Sequence, residues 1–561
     1  MNVDRDEHRG EQRQRRDRAQ QPDGEGAATS RTVATITIVL LFVLILFPAH
    51  PGDFTPARFA VLPLEWPLAV LALLAVGTGP ALHVLRTGLV LLLGLTVLLR
   101  IADLGSFAAF DRPFSPLVEW HLIGDGWNLA SGSIGTGEAA LAVAAALAAL
   151  AVLCVALYRG MGAIGRLRGE SRRVAVLGAG AVATIALVML VARAALPERV
   201  PAMWPVQARL VPEFMDRSKA MRRSIVDQQA FVAELARDPL DARPPPSFAA
   251  LGGRDLIVLF VESYGQSFLV DEDLGRIADA RLNEIGERTA AAGLSVRSGW
   301  LTSPIRGGRS WMAHATFASG LMVDNQARYD RLISSQRRSL YRLLGDAGFT
   351  TAGLNPAIVD PWPEGAWYGY DADYDVHNLG YAGLPFGWAT MPDQYTLSFF
   401  ERNVRGPASG PVAGELALIS SHAPWAPIPR RVPWEDIGDG AIFDGRHRFG
   451  EPVIWAQRQR VRELYAQSLD YALATIGEYV ARHGENALTI VLGDHQPASI
   501  IAGWGRTADV PVHVFANDPA LLDRLPPDIF HDGMHPPENA PGLPMESMRE
   551  LLSTRFEAVA P

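Results

Sequence analysis

Leu488-Thr489-Ile490-Val491-Leu492-Gly493-Asp494-His495 is the stretch on which the reading of this chain turns. Five apolar or β-branched residues in a row fit a strand buried on both faces, and the run stops at a glycine followed by a carboxylate and an imidazole. Two earlier runs end the same way: Leu256 to Val261 meets Glu262-Ser263, and Leu416 to Ile419 meets Ser420-Ser421-His422. Further strand-like runs lie at Thr350 to Leu354 and Val510 to Phe515, with helical stretches between them at Leu282 to Ala292, Ser339 to Ala347 and Ala456 to His483. That alternation predicts an α/β domain, a mostly parallel sheet sandwiched by helices. Such sheets gather their chemistry at the carboxyl ends of the strands, so Glu262, His422, Asp494 and His495 are expected to converge in one crevice.

Outward from this domain, the first third of the 561-residue chain has a different character. Val33 to Phe47, Pro67 to Leu85, Thr87 to Leu99, Ala139 to Leu157 and Val174 to Leu196 approach or reach the ~20 apolar residues of a membrane-crossing helix. Residues 33–198 therefore read as an α-helical membrane domain with about five spans. The third, with Arg100 near its end, also fits an interfacial or re-entrant helix. Arginines crowd the tail, residues 1–32, and the loop from Arg159 to Arg173. Basic flanks stay on the cytoplasmic side. An odd number of spans then makes a multi-pass cell-membrane protein with its N-terminus in the cytoplasm and everything beyond Leu196 outside. The polar tail is expected to be disordered. Residues 199–246 read as a helical connector, closed by Pro244-Pro245-Pro246, and residues 247–561 as the extracytoplasmic domain. The single cysteine, Cys154, lies in a span, so no disulfide holds the exported part together. A net charge of -9 and the lack of a dense basic stripe argue against a nucleic-acid partner.

Arg306-Gly307-Gly308-Arg309-Ser310-Trp311-Met312-Ala313 places a hydroxyl where a glycine-rich turn opens a helix, Trp311 to Ser319. There it meets unpaired amides and the positive end of the helix dipole, which favour an alkoxide and an incoming phosphate alike. Serine is equally an ordinary N-cap. His314, four residues on, reads as packing, with a further ligand as the alternative.

Taken in order, a strand-end Glu, a hydroxyl at a glycine-rich helix start, a strand-end His and a strand-end Asp-His resemble the lipoteichoic acid synthase branch of the sulfatase and alkaline phosphatase superfamily. The matching stretches are DLIVLFVESYGQSF, GGRSWMAHATFASG, LISSHAPW and YAQSLDYALATIGEYVARHGENALTIVLGDHQP. The resemblance implies an alkaline phosphatase-like fold and one divalent metal on Glu262, Ser310, Asp494 and His495. The carboxylates favour Mn or Mg, while Asp plus His also suits Zn. It further implies Ser310 as the nucleophile of a covalent phospho-enzyme, where these synthases carry threonine, and His422 beside the substrate, stabilising charge or protonating a leaving alkoxide. The implied activity is a membrane-anchored phosphotransferase or phosphodiesterase of the cell envelope. Its partner would be a membrane lipid or a lipid-linked or polyol-linked phosphodiester. A phosphatase or sulfatase-like hydrolase and a non-catalytic envelope binding protein are the alternatives, and the sequence sets no oligomeric state.

Ser303-Pro304-Ile305-Arg306 carries its proline one position too early for the C/S-x-P-x-R motif of formylglycine sulfatases, so that route is not expected. The synthases hold their head group with a tryptophan and an arginine. Trp367, in the aromatic stretch Pro361 to Asp371, is placed as the matching tryptophan, although Trp362 and Trp367 fit a core equally well. No matching arginine follows, and Arg306, Arg309 and Arg506 are the expected phosphate clamps in its place.

Overall fold

The structure is a computed structural model and describes residues 22–116, 119–120, 124, 126–127, 131, 135–195, 206–386, 389–449, 453, 455, 457–537 and 540–557. Most of the expected tail, residues 1–21, the end of the expected membrane domain, residues 196–198, and the start of the connector, residues 199–205, lie outside the described residues. The chain divides into two compact units, Met1–Phe107 with Pro113–Ser224, and Ala108–Arg112 with Ile225–Pro561.

The first unit is helical: α1 (Pro22–Leu46), α2 (Glu65–Val76), α3 (Pro80–Phe110), α4 (Thr136–Gly165), α5 (Gly169–Ala195) and the start of α6 (Leu210–Leu235). Among the described residues four helices, α1, α3, α4 and α5, are long and apolar enough to cross a membrane, which suggests membrane anchoring. On α4, Leu141, Leu147 and Val152 are 61–72% exposed, apolar surface that water covers poorly. The structure differs from the expected five spans at the second. The run from Pro67 is cut at Gly77, whose φ of 70° ends α2 after 12 residues. Pro80, with its preset φ, opens α3, which absorbs the remainder together with the third expected span. Arg100 lies well inside α3 and is satisfied there. It donates to the carbonyls of Leu44, Ile45 and Phe47 at the end of α1, and to Glu213 at 2.7 Å. An arginine in an apolar helix is thus balanced by the orphan carbonyls of a helix terminus and one carboxylate. The expected helical connector is largely α6, and the division between the two units falls inside it.

The second unit is built on a nine-stranded sheet. In chain order its strands are β1 (Asp255–Val261), β2 (Ser295–Thr302), β3 (Thr350–Leu354), β4 (Ala372–Tyr374), β5 (Val412–Leu418), β6 (Ala487–Gly493), β7 (Asp509–Ala516), β8 (His531–Asp532) and β9 (Leu543–Pro544). They lie in the order β8-β2-β7-β6-β1-β5-β3-β4, with β9 beside β2. The run from β6 to β4 is parallel, whereas β7 is antiparallel to β6 and to β2. The five expected strands form within a few residues of their predicted bounds. β2 was not expected, because Ser-Val-Arg-Ser-Gly-Trp-Leu-Thr has neither an apolar run nor alternation, yet it pairs with β7 along eight residues.

Every residue of β1 is buried. Its side chains alternate between two cores, as a pleated strand requires. Ile257, Leu259 and Val261 join the core formed with α7 (Glu272–Ala291) and α9 (Arg458–His483), and Leu256, Val258 and Phe260 join the core formed with α8 (Ser310–Ser319). Helices therefore cover both faces, which explains why the central strands read as continuous apolar runs.

Candidate active site and metal centre

Parallel pairing brings the three expected strand ends level. Gly493 at the end of β6 stands opposite Val261 of β1, and Val261 stands opposite Leu418 of β5. The residues that follow, Asp494-His495, Glu262-Ser263 and Ile419 to His422, leave the sheet side by side, with strands ~4.8 Å apart. Glu262 N donates to Leu418 O at 3.1 Å, which fixes the first of these exits. Gly493 is required for the second: a Cβ there would stand 1.9 Å from the Tyr264 carbonyl oxygen, where the chain turns after β1.

Glu262, Asp494 and His495 are buried and offer ligand atoms within 4.8 Å of one another. His495 Nε2 lies 3.4 Å from Glu262 Oε1 and 3.5 Å from Asp494 Oδ2. Asp494 is locked by two amides, since its Oδ1 accepts from Ser263 N at 2.7 Å and His495 N at 2.6 Å. Ser310 Oγ completes the group, 2.9 Å from Glu262 Oε2 and 3.2 Å from His495 Nε2. Ser310 is the first residue of α8, preceded by Arg309 in a left-handed conformation with φ 69°. Its hydroxyl faces Glu262, so it is spent on the cluster and not on capping the helix.

The electrostatics follow from burial. It opposes the charge of Glu262, yet His422 and His495 outweigh it and hold this carboxyl well below the usual carboxylate range. Burial, then the neighbouring Glu262 charge, pushes Asp494 up to about 6. Burial also opposes a charged His495, but Asp494 and Glu262 prevail and its pKa rises to about 9. The donor set fits a cation. His495 Nδ1 is 2.8 Å from the Gln496 carbonyl oxygen, which can only accept, so one ring proton sits there and Nε2 faces two carboxylates, holding the second proton or, once that is lost, offering a lone pair. Acceptors converging in this way need a positive centre among them, either a proton or a metal. Oxygen donors joined by one imidazole suit Mn, Mg or Zn.

The cluster opens into a cavity of about 540 Å³. Glu262, Arg309, Ser310, His422 and Asp494 line it. His422 is turned by its Nδ1, 2.5 Å from the Ala423 carbonyl oxygen. The expected substrate residues are not all there. Trp367 is a correction: its indole N–H donates to Arg337 O at 3.0 Å and its ring packs in the α8-side core, so it is absent from the cavity lining. Trp362, five residues earlier, lines the cavity in its stead. Arg506 does not line it either, being tied to Asp271 at 2.5 Å and to Ala502 O at 2.9 Å. Arg306 also stands outside the lining, 3.8 Å from Asp111 of the short segment that belongs to the same unit. Of the three expected arginine clamps, Arg309 alone reaches the cavity.

The chain is distantly similar to several solved structures. Against the lipoteichoic acid synthase LtaP from Listeria monocytogenes the identity is 14%, over 56% of this chain and 78% of that one, with a TM-score of 0.36. Against the Streptococcus pyogenes phosphoglycerol transferase GacH in complex with sn-glycerol-1-phosphate the values are 13%, 59%, 81% and 0.36. Against a protein in the alkaline phosphatase superfamily from Vibrio parahaemolyticus they are 14%, 47%, 59% and 0.32. No protein-family model matches the chain, and no curated protein does. Likenesses this distant assign no activity.

Sequence reasoning missed three parts of the cavity. Glu415, inside β5, and His314, on α8, meet at 2.6 Å on its wall, and Asn355, just beyond β3, lines it too. The one available signal was a carboxylate embedded in a buried strand, a position that seldom holds a charge without a partner.

Proposed function

We propose that this chain is a membrane-anchored, metal-dependent phosphotransferase or phosphodiesterase of the cell envelope, with Ser310 as its nucleophile and the domain after α6 on the outer side. The observation that carries the reading is the Ser310 hydroxyl, within hydrogen-bond distance of both Glu262 and His495 at the mouth of a cavity large enough for a phosphodiester. Glu262, Asp494, His495 and Ser310 would hold one divalent cation, which when bound supplies positive charge that lowers the serine pKa and neutralises phosphate.

The protein's own groups do the rest. Ser310 Oγ, hydrogen-bonded to Glu262 Oε2, releases its proton to water in the cavity and bonds to phosphorus while the first alcohol leaves. His422, from the neighbouring strand end, hydrogen-bonds or protonates the departing oxygen. Arg309 and the amides opening α8 attract the phosphate oxygens. A second alcohol, or water, then takes the phosphoryl group and Ser310 regains its proton. Two easier displacements replace one hard one. The partner on this reading is a lipid-linked or polyol-linked phosphodiester, which an anchored domain meets at the membrane surface. Ser310→Ala should lower phosphodiester turnover by at least ~10³-fold and abolish acid-stable labelling of the denatured protein by radioactive substrate. Retained labelling would sink the mechanism.

A further inference from the structure

Beside the Ser310 cluster the cavity holds a second polar pair. Glu415 sits in the middle of β5, opposite Val258 of β1 and Gly353 of β3, with strands on both sides and a side chain only 2% exposed. A carboxylate in such a position is costly without partners. One of its oxygens receives His314 Nδ1 at 2.6 Å, while Oε2 makes no hydrogen bond. The hydroxyls of Tyr341, next to Glu415, and Tyr370 are likewise buried. His314 is stacked on Phe260, ring centres 3.9 Å apart, and both His314 and Glu415 line the cavity. A carboxylate only accepts, so the ring's proton is shared through Nδ1, and Nε2, with no hydrogen-bond partner among the described residues, presents a lone pair. His314 follows Ser310 by four residues, one helical turn on the same face of α8.

We propose that the Glu415–His314 pair is a hydroxyl-recognition subsite for the alcohol that stays on phosphorus while Ser310 is attached to it. In-line displacement sends the leaving oxygen away from Ser310 Oγ, so a group on the nucleophile's own helix stands beside the retained substituent. His314 Nε2 accepts a hydrogen bond from its hydroxyl, and Glu415 positions the ring. Trp362 and Tyr368, also on the cavity wall, offer flat apolar faces to the carbon skeleton. A hydroxyl can donate to Nε2 and accept from a neighbouring donor, whereas an ammonium can only donate.

This inference rests on the reading of Ser310 as nucleophile, and the test separates the two. Detergent-solubilised full chain is assayed with the p-nitrophenyl phosphodiesters of glycerol, n-propanol and 2-aminoethanol, and the ratio of kcat/KM between esters is read, because a ratio does not depend on how much of a variant folds. The wild type is expected to prefer the glycerol ester to the propyl ester by at least about tenfold, since a buried acceptor left unpaired penalises the analogue lacking the hydroxyl. Glu415→Gln, His314→Gln and His314→Phe should each bring the ratio towards one. A wild-type ratio near one, a stronger preference for the 2-aminoethyl ester, or a ratio unmoved in the variants overturns the subsite. Turnover surviving in Ser310→Ala overturns the nucleophile instead.

Discussion

Raising the pH of metal-stripped protein should destabilise the sheet-containing unit, and a divalent cation should reverse the effect. Burial disfavours a charged His495, but Asp494 and Glu262 overcome it, so the folded chain holds that proton up to about pH 9 against 6.5 ordinarily. A group whose pKa is raised by folding adds stability that is complete below its unfolded pKa and is lost as pH climbs through the folded one. Here the loss runs between about 6.5 and about 9. A difference of roughly 2.5 in pKa at about 1.36 kcal/mol each amounts to about 3 kcal/mol. For a unit of roughly 340 residues, with an unfolding entropy of ~2.1 cal/mol/K per residue, that is ~4 °C in Tm. The assay is scanning calorimetry of the detergent-solubilised, EDTA-treated chain from about pH 6 to 10, alongside His495→Gln, which lacks the titrating ring. The wild type should lose about 4 °C more than the variant across that range. Excess MnCl₂ or ZnCl₂ at the alkaline end should restore stability in the wild type, because the ion takes the proton's place among the acceptors and binds the folded state alone. Superimposable pH profiles, or no upward shift with any of Mn, Mg and Zn, would refute the reasoning.

Gly493→Ala should yield chain that expresses but unfolds early and is inactive, because the added methyl meets a backbone oxygen at 1.9 Å and neither strand exit can move without parting Asp494 from Glu262; limited proteolysis checks it. Arg549→Met should lower Tm, because Asp238 is left with Arg337 at 3.5 Å and the Leu240 amide as its partners. Arg549 grips that carboxylate at 2.9 and 2.6 Å, and calorimetry reads the loss as a lower Tm. Trp362→Ala should raise KM for phosphodiesters several-fold. Trp367→Phe should lower Tm by leaving the Arg337 carbonyl unpaired while KM stays put, and steady-state kinetics beside melting curves distinguish the two tryptophans.

What the sequence disclosed and what it hid divide along a physical line. The ends of β1, β5 and β6 were legible because a strand buried on both faces is expected to be apolar, so a carboxylate or imidazole after the run marks where the chain leaves the sheet. Glu262, Asp494 and His495 announced themselves in that way. β2 has no such signature: its Arg297 is carried out to Asp532 and Asp523, both at 2.8 Å, and the strand exists because β7 pairs with it. Glu415 was hidden by the same rule that exposed Glu262. A carboxylate before Leu416 reads as the strand's beginning, whereas here it lies within the strand, made tolerable by a histidine 101 positions away. Trp362 and Trp367 could not be told apart from composition, since the choice is made by a four-residue helix, Gly365–Tyr368, that turns the second indole toward the Arg337 carbonyl. Local pattern thus locates where an apolar strand ends. The partner that lets a polar group stay dry comes from a distant segment, and in this protein the subsite proposed to select the substrate is of that second kind.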